Sequence, residues 1–376
     1  MHTTLRNTLG CEFPIVAFSH CRDVVAAVSR AGGLGVLGVV GYTPEQLEIE
    51  LNWIEKEIGD LPYGVDILVP AKFVGSDEGG FEASKIDALI PDEHRHFVAA
   101  LLAEHGVPPL PEKKPEDKKR ERPSSFQDDE QRELIEVAFG HRIKLVANAL
   151  GPPPDWMIER GHEEGCLVAA LAGKAEHARR HVEKGVDLVV AQGYEAGGHT
   201  GEIATMVLIP EVVDAVAPVP VLAAGGIASG RQLTAALALG AEGVWTGSVW
   251  LTTEEAETHP IVKQKFLAAS SSDTRRSRSR TGKPARQLKS AWTEAWEDPA
   301  NLDPLPMPLQ VHLIQDAWNQ IEHAAHKSPG AEQLINYFVG QVVGSMNDIR
   351  SVRSVIEEMV QEYVDTMERL DRWAEG

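Results

Sequence analysis

The sequence predicts an α/β fold: a (β/α)8 TIM barrel with a charged insertion after strand 3 and a helical C-terminal extension. Three observations carry this. Eight short apolar runs recur along the 376 residues. Helical patterns separate most of them. The runs are continuously apolar rather than alternating, as parallel strands covered on both faces are. Strands alternating with helices imply right-handed βαβ units, and eight such units close into a barrel that typically needs ~250 residues. An open doubly wound sheet is the alternative, and it carries G-x-G-x-x-G after its first strand. "AGGLGVLG" (31–38) has its glycines before and inside a strand, so it does not serve.

The elements follow in order. "FPIVAF" (13–18) is the first strand, and "RDVVAAVSRAGG" after it has helical apolar spacing and ends on a glycine pair. "LGVLGV" (34–39) precedes "TPEQLEIELNWIEKEIG", where a Thr cap, a Pro at the first helical position and an acidic first turn open a helix. "YGVDILV" (63–69) is the third strand. A stretch from about 70 to 132 follows, rich in Pro and mixed charge, and reads as a solvated surface excursion or a lid. "RIKLVANA" (142–149), "CLVAAL" (166–171) and "VDLVVA" (186–191) are strands four to six. "VPVLAA" (219–224) and "EGVWTG" (242–247) are the last two. The expected division is a barrel over 1–270 and a C-terminal extension over 271–376. In that extension Val352, Val355, Ile356, Met359, Val360 and Tyr363 have the spacing of a packed helix.

Composition narrows the function. Hydrophobic residues make up 43%, enough for a packed core. The net charge of -20 disfavours nucleic acid and anionic membrane as partners. No apolar run reaches the ~18 residues of a membrane helix. Three cysteines without a C-x-x-C suit a reducing cytoplasm. Seven basic residues lie between Arg275 and Lys289, which reads as a loop that attracts an anionic substrate or as a solvated turn.

In barrel enzymes the site lies at the C-terminal ends of the strands. After the seventh strand comes "AAGGIASG" and after the eighth "TGSVW". Glycines there free backbone N–H groups ahead of helix N-termini, which makes an anion site. Gly225, Gly226, Gly247 and Ser248 are therefore phosphate ligands in expectation, with Ala224 and Thr246 at the strand ends. "AQGYEAGGHTG" (191–201) follows the sixth strand and sets His199 among glycines at the same rim, near Gln192. Alone, such a stretch is a turn with a surface histidine. Beside a phosphate site it becomes an imidazole that titrates near neutral pH and can exchange a proton. His141, His162, His177 and His181 read as surface residues. No metal motif is present.

These stretches resemble the nitronate monooxygenase family, also called 2-nitropropane dioxygenases, which are FMN-dependent TIM-barrel flavoenzymes. The resemblance runs from about 10 to 350 and rests on "GYEAGGHTG", "VPVLAAGGIASGRQLTAALALGAEGVWTGSVWL", "FPIVAF" and "GKPARQLKSAWTEAW". Flavin-type enoyl-acyl-carrier reductases and NADH:quinone reductases share the sixth-strand and phosphate motifs. By resemblance His199 is the catalytic histidine near the reactive face of the flavin, and Gly197 and Gly198 offer backbone contacts. Ala224, Gly225, Gly226, Thr246, Gly247 and Ser248 hold the FMN phosphate. Ala17, Phe18 and Ser19 lie under the ring. Asp66, at a position usually Asn, and Gln192 face the cofactor. The first strand ends in "VAFSH" where the family has Ala-Pro-Met, and a fifth-strand lysine of some relatives has no counterpart. The implied reaction takes an alkyl nitronate, or a similar anion, and O2 to a carbonyl compound and nitrite. An NAD(P)H-dependent reductase of quinones or enoyl thioesters, and a non-catalytic FMN-binding protein, stay open. So does a homodimer.

Overall fold

Eight parallel strands close into a barrel in the computed structural model, which describes residues 3–69, 72–78, 81–111 and 128–375. Helix α1 (Thr4–Leu9) precedes the barrel, capped by the Thr3 side chain. The chain then runs through β1 (Ile15–Ser19), α2 (Arg22–Arg30), β2 (Leu34–Gly38), α3 (Pro44–Ile58) and β3 (Tyr63–Asp66). Next come α4 (Ala83–Ala88), α5 (Asp92–Glu104), α6 (Asp128–Phe139), β4 (Leu145–Asn148), α7 (Asp155–Glu163), β5 (Leu167–Ala172) and α8 (Ala175–Glu183). Then follow β6 (Leu188–Gln192), β7 (Gly198–His199), α9 (Thr205–Val216), β8 (Val221–Ala224), α10 (Gly230–Ala238) and β9 (Gly243–Thr246). The last part holds α11 (Pro260–Ala268), β10 (Thr274–Ser277), β11 (Ala285–Leu288), α12 (Ala291–Glu297), α13 (Leu309–Ala324), α14 (Pro329–Leu334) and α15 (Val352–Glu375). Each of the eight apolar runs supplies one barrel strand, and β9 closes on β1 with Ala17 opposite Thr246.

Period-two alternation sorts the strand residues into two layers. Val16, Val36, Leu145, Ala147, Leu188, Val190, Leu222 and Trp245 fill the barrel interior. Ile15, Val65, Val146, Val168 and Val189 face outward under the helices. Each fully buried Val or Leu contributes roughly 1.5–3 kcal/mol, so the double-sided burial is what makes these short strands persist. Helix α3 begins where its signals place it: Thr43 and Gln46 form a capping box and Pro44 stands at the first position. Gly35 is required by close approach, since a Cβ there would lie 2.2 Å from the Val25 carbonyl oxygen.

The C-terminal helix packs as its periodicity predicts. Val352, Val355, Ile356 and Met359 join the layer that holds Val28 and Leu233. Glu362 accepts a hydrogen bond from the Gly230 amide at 2.8 Å, tying α15 to the start of α10. Among the described residues, no helix is long and apolar enough to cross a membrane.

Three expectations are corrected. The stretch after strand 3 is not a solvated excursion throughout. Ile86, Ile90, Val98, Leu101 and Leu102 of that stretch are buried against Trp296, Leu313 and Trp318, so α4 and α5 belong to a second apolar core. Its most charged part, residues 112–127, lies outside the described residues. His181 is 2% exposed, with Nε2 3.1 Å from the Leu171 carbonyl oxygen, and the His141 side chain is buried against Glu48 and Glu55. The basic segment is not one loop: β10 and β11 pair antiparallel, and β7 adds to them as a third strand.

Candidate active site

The C-terminal ends of the barrel strands place the expected residues at one rim. In register, Gln192 pairs with Ala224 and Gly38 with Asp66. Phe18 lies on the inner side, stacked on Trp245 with ring centroids 6.2 Å apart and edge-on to His20 at 5.1 Å. Ala224 shares that inner side, and alternation with Gly64 and Val190 puts Asp66 and Gln192 there too. Ala17 instead packs in the outer layer. The Ser19 hydroxyl accepts from the Cys21 amide at 3.1 Å. Thr246 is buried, its hydroxyl donating to Val16 O at 3.0 Å and accepting from Trp250 Nε1 at 3.0 Å, so this side chain braces the barrel.

The two glycine loops have the character of an anion cradle. Gly225 and Gly226 take φ of 94° and 72°. At Gly225 an added Cβ would lie 2.9 Å from the Gly193 carbonyl oxygen, whereas at Gly247 the nearest atom is Phe18 Cδ1 at 3.9 Å. The first glycine is thus needed by the backbone, and the space beside the second is open. The amides of Gly226, Ile227, Ser248 and Val249 find no acceptor among the described residues. Gln232 holds the first loop open, accepting from the Ala228 amide at 2.8 Å and donating to Gly226 O. The start of α10 is less free than the sequence implies, because Glu362 occupies the Gly230 amide. The N–H groups left open at this rim are those of the loops themselves.

His199 is not in a turn. It stands on β7 opposite Ala285, with Gly198 opposite Arg286. Gly340 joins this segment to the glycine loop after β9: its amide donates to Ser248 Oγ at 2.8 Å, and a Cβ on Gly197 would lie 2.8 Å from its nitrogen. Arginines clamp the segment from the other side. Arg286 donates to Tyr194 O at 2.9 Å and lies over the Tyr194 ring, while Arg276 donates to Thr200 O at 3.0 Å. His199 Nε2 lies 2.8 Å from Thr281 Oγ1, and Phe338 stands 6.5 Å from the imidazole. Nδ1 has no partner among the described residues and is not sealed from solvent.

Electrostatics corrects one expectation. Burial, helped by the nearby Lys283 ammonium, pushes His199 down to about 4, so the imidazole is neutral at pH 7. The Thr281 hydroxyl can donate either to Nε2 or to Lys283 O at 3.1 Å. In the first case Nδ1 carries the proton and faces accessible space as a donor. Asp66 moves the other way: burial raises its carboxyl to about 7, and no donor among the described residues offsets that. Two depressions of about 270 and 330 Å³, around Leu61 and Pro62, lie at the opposite end of the barrel and have no part in this chemistry.

Sequence reasoning missed Thr281, Phe338 and the clamping arginines. They come from the C-terminal extension, whose basic segment reads as a loop or a turn, and no local pattern there marks a strand that would meet His199.

Comparison with known proteins places the chain among one group of relatives. The family model described as nitronate monooxygenase matches residues 13–362. The "Putative monooxygenase Rv1533" of Mycobacterium tuberculosis is 59% identical over 98% of both chains. A "Probable nitronate monooxygenase" of Staphylococcus saprophyticus is 30% identical over 98% of this chain and 99% of its own. The solved structure of nitroalkane oxidase from Streptomyces ansochromogenes superposes with a TM-score of 0.79 at 25% identity, covering 97% of this chain and 99% of its own.

Proposed function

The chain belongs to the nitronate monooxygenase family, and from that membership we propose that it binds FMN non-covalently and oxidises alkyl nitronates with O2 to a carbonyl compound and nitrite. The family makes it a flavin-dependent oxidoreductase. Flavin, when bound, supplies the electron-accepting chemistry, and the protein supplies placement and electrostatics.

The residues at the rim fit that group. The free amides of Gly226, Ile227, Ser248 and Val249 match one phosphate, and the chain has no dinucleotide fingerprint, which favours FMN over FAD. The inner side beneath offers Phe18 as an apolar floor and Asp66 and Gln192 as polar groups.

The observation that carries the substrate assignment is the neutral His199 with an open Nδ1 and Thr281 behind it. A base near 4 is too weak to strip a carbon acid of its proton at pH 7. A neutral N–H donor backed by a hydroxyl suits a substrate that arrives already anionic, as a nitronate does. When an oxyanion meets Nδ1, the Thr281 proton turns from Lys283 O to Nε2 and fixes the Nδ1–H tautomer.

The test is anaerobic mixing of flavin-loaded protein with propyl nitronate, NADH and NADPH separately, with heat-released cofactor weighed by mass spectrometry. Bleaching by the nitronate, nitrite release in air and recovery of FMN are expected. Bleaching by a nicotinamide alone would assign a reductase instead, and recovery of FAD would overturn the phosphate reading.

A further inference from the structure

We propose that Arg280 is the distal end of the substrate site: its guanidinium holds a carboxylate carried by the substrate at the end remote from the group presented to His199. The proposal rests on the nitronate reading for what meets His199, but the subsite itself stands on separate observations.

The basic segment that the sequence singles out is mostly consumed by structure. Arg275 pairs with Glu297. Arg276 and Arg286 hold the His199 loop. Arg278 donates to Gly282 O and Pro304 O, and Lys283 donates to Lys72 O at 2.7 Å. Lys289 is exposed.

Arg280 differs from all of these. Its Cζ lies 3.4 Å from the centre of the Trp318 ring and 5.3 Å from that of Phe338. Among the described residues only Nη1 has an acceptor, Asn336 Oδ1 at 3.3 Å, and Asn336 is itself fixed by Ser290 at 2.9 Å. The remaining donors, Nε and Nη2, find no acceptor among the described residues, yet none is sealed from solvent. The carboxylate that acts on it, Glu322, is engaged by Trp318 Nε1 at 2.8 Å and forms no ion pair with it. Burial lowers Arg280 only to about 10, so it stays charged at neutral pH.

A guanidinium laid flat on an indole leaves its edge free, and that edge is a fork matched to a planar two-oxygen anion. Keeping such a cation half-buried without a carboxylate is costly unless something else pairs with it. The place of Arg280 names the partner. Its chain neighbour Thr281 is the residue bonded to His199, and His199 and Arg280 flank the same ring, Phe338, at 6.5 and 5.3 Å. One short molecule can therefore present its reacting group to His199 and a carboxylate to Arg280.

The experiment uses flavin-loaded protein with two readouts. The first is binding of glutarate and of butyrate, followed by the flavin absorbance. The second is kcat/KM for the nitronates of 4-nitrobutanoate and of 1-nitrobutane. The wild type should favour the probe with the extra carboxylate by about tenfold or more in both readouts. Arg280→Gln should cut that preference about 10- to 100-fold, the range for a hydrogen bond to a charged group. Arg280→Lys, which keeps charge but not the fork, should fall between. Equal losses on charged and uncharged probes would make Arg280 merely structural, and absence of any preference in the wild type would overturn the proposal outright. If neither nitronate is oxidised, the functional reading fails, while the glutarate–butyrate comparison still judges the subsite.

Discussion

Asp66→Asn should stabilise the flavin-free protein, increasingly so as pH rises. Asp66 is 6% exposed on the inner side of the barrel, and burial lifts its carboxyl from 3.8 to about 7. At 1.36 kcal/mol per pKa unit, keeping it ionised in the folded chain costs about 4 kcal/mol. The direction follows from proton binding. Between 3.8 and about 7 the folded chain holds a proton that the unfolded chain has released, so stability falls as pH rises through that window and levels off above it. Asn has nearly the same shape and no charge to bury. Partial solvent relief at the barrel mouth and the need to satisfy a new amide reduce the gain, so about 2–4 kcal/mol at pH 8 is expected. For a chain of this size that is about 3–5 °C in melting temperature. Melting of the two flavin-free proteins at half-unit steps from pH 4 to 9 reads it directly. The difference between them should grow between pH 4 and 7 and then stay level. A difference that does not vary with pH, or a variant less stable at pH 8, would refute the burial argument.

Two further variants test the same geometry. Gly247→Ala should leave the fold intact and abolish flavin retention, because the methyl meets nothing closer than Phe18 at 3.9 Å yet enters the phosphate loop; stoichiometric flavin in the purified variant would move the phosphate elsewhere. Gly226 is a poorer choice for this test, since its φ of 72° strains any side chain. His199→Ala should lower kcat/KM on a pre-formed nitronate about 10- to 100-fold while flavin stays bound. The same change should soften acid unfolding. The folded chain resists protonating His199, whose pKa drops from 6.5 to about 4, so the wild type loses stability as pH falls through that window and the variant loses less. A full-strength variant, or identical acid limbs, would remove His199 from the site or from burial.

The barrel was legible because its code is local. Continuous apolar runs, a capping box at Thr43 and Gln46, and glycines after the last two strands each act within a few residues, and the eight strands, helix α3 and the loop rim follow from them. The helical face of α15 was legible for the same reason: Val352, Val355, Ile356 and Met359 recur at helical spacing. What tertiary structure alone decided is the setting of His199. The sequence shows a glycine-flanked imidazole, which in water titrates near neutrality. Pairing of β7 with β11 half-buries it, brings Thr281 to 2.8 Å from across 82 positions of chain, and shifts its pKa to about 4. The seven basic residues looked alike as a string, yet folding gives most of them backbone carbonyls or a carboxylate and leaves Arg280 stacked on Trp318 with its edge free. Burial and long-range partners set the charge state and availability of a side chain, and neither is written in the residues beside it.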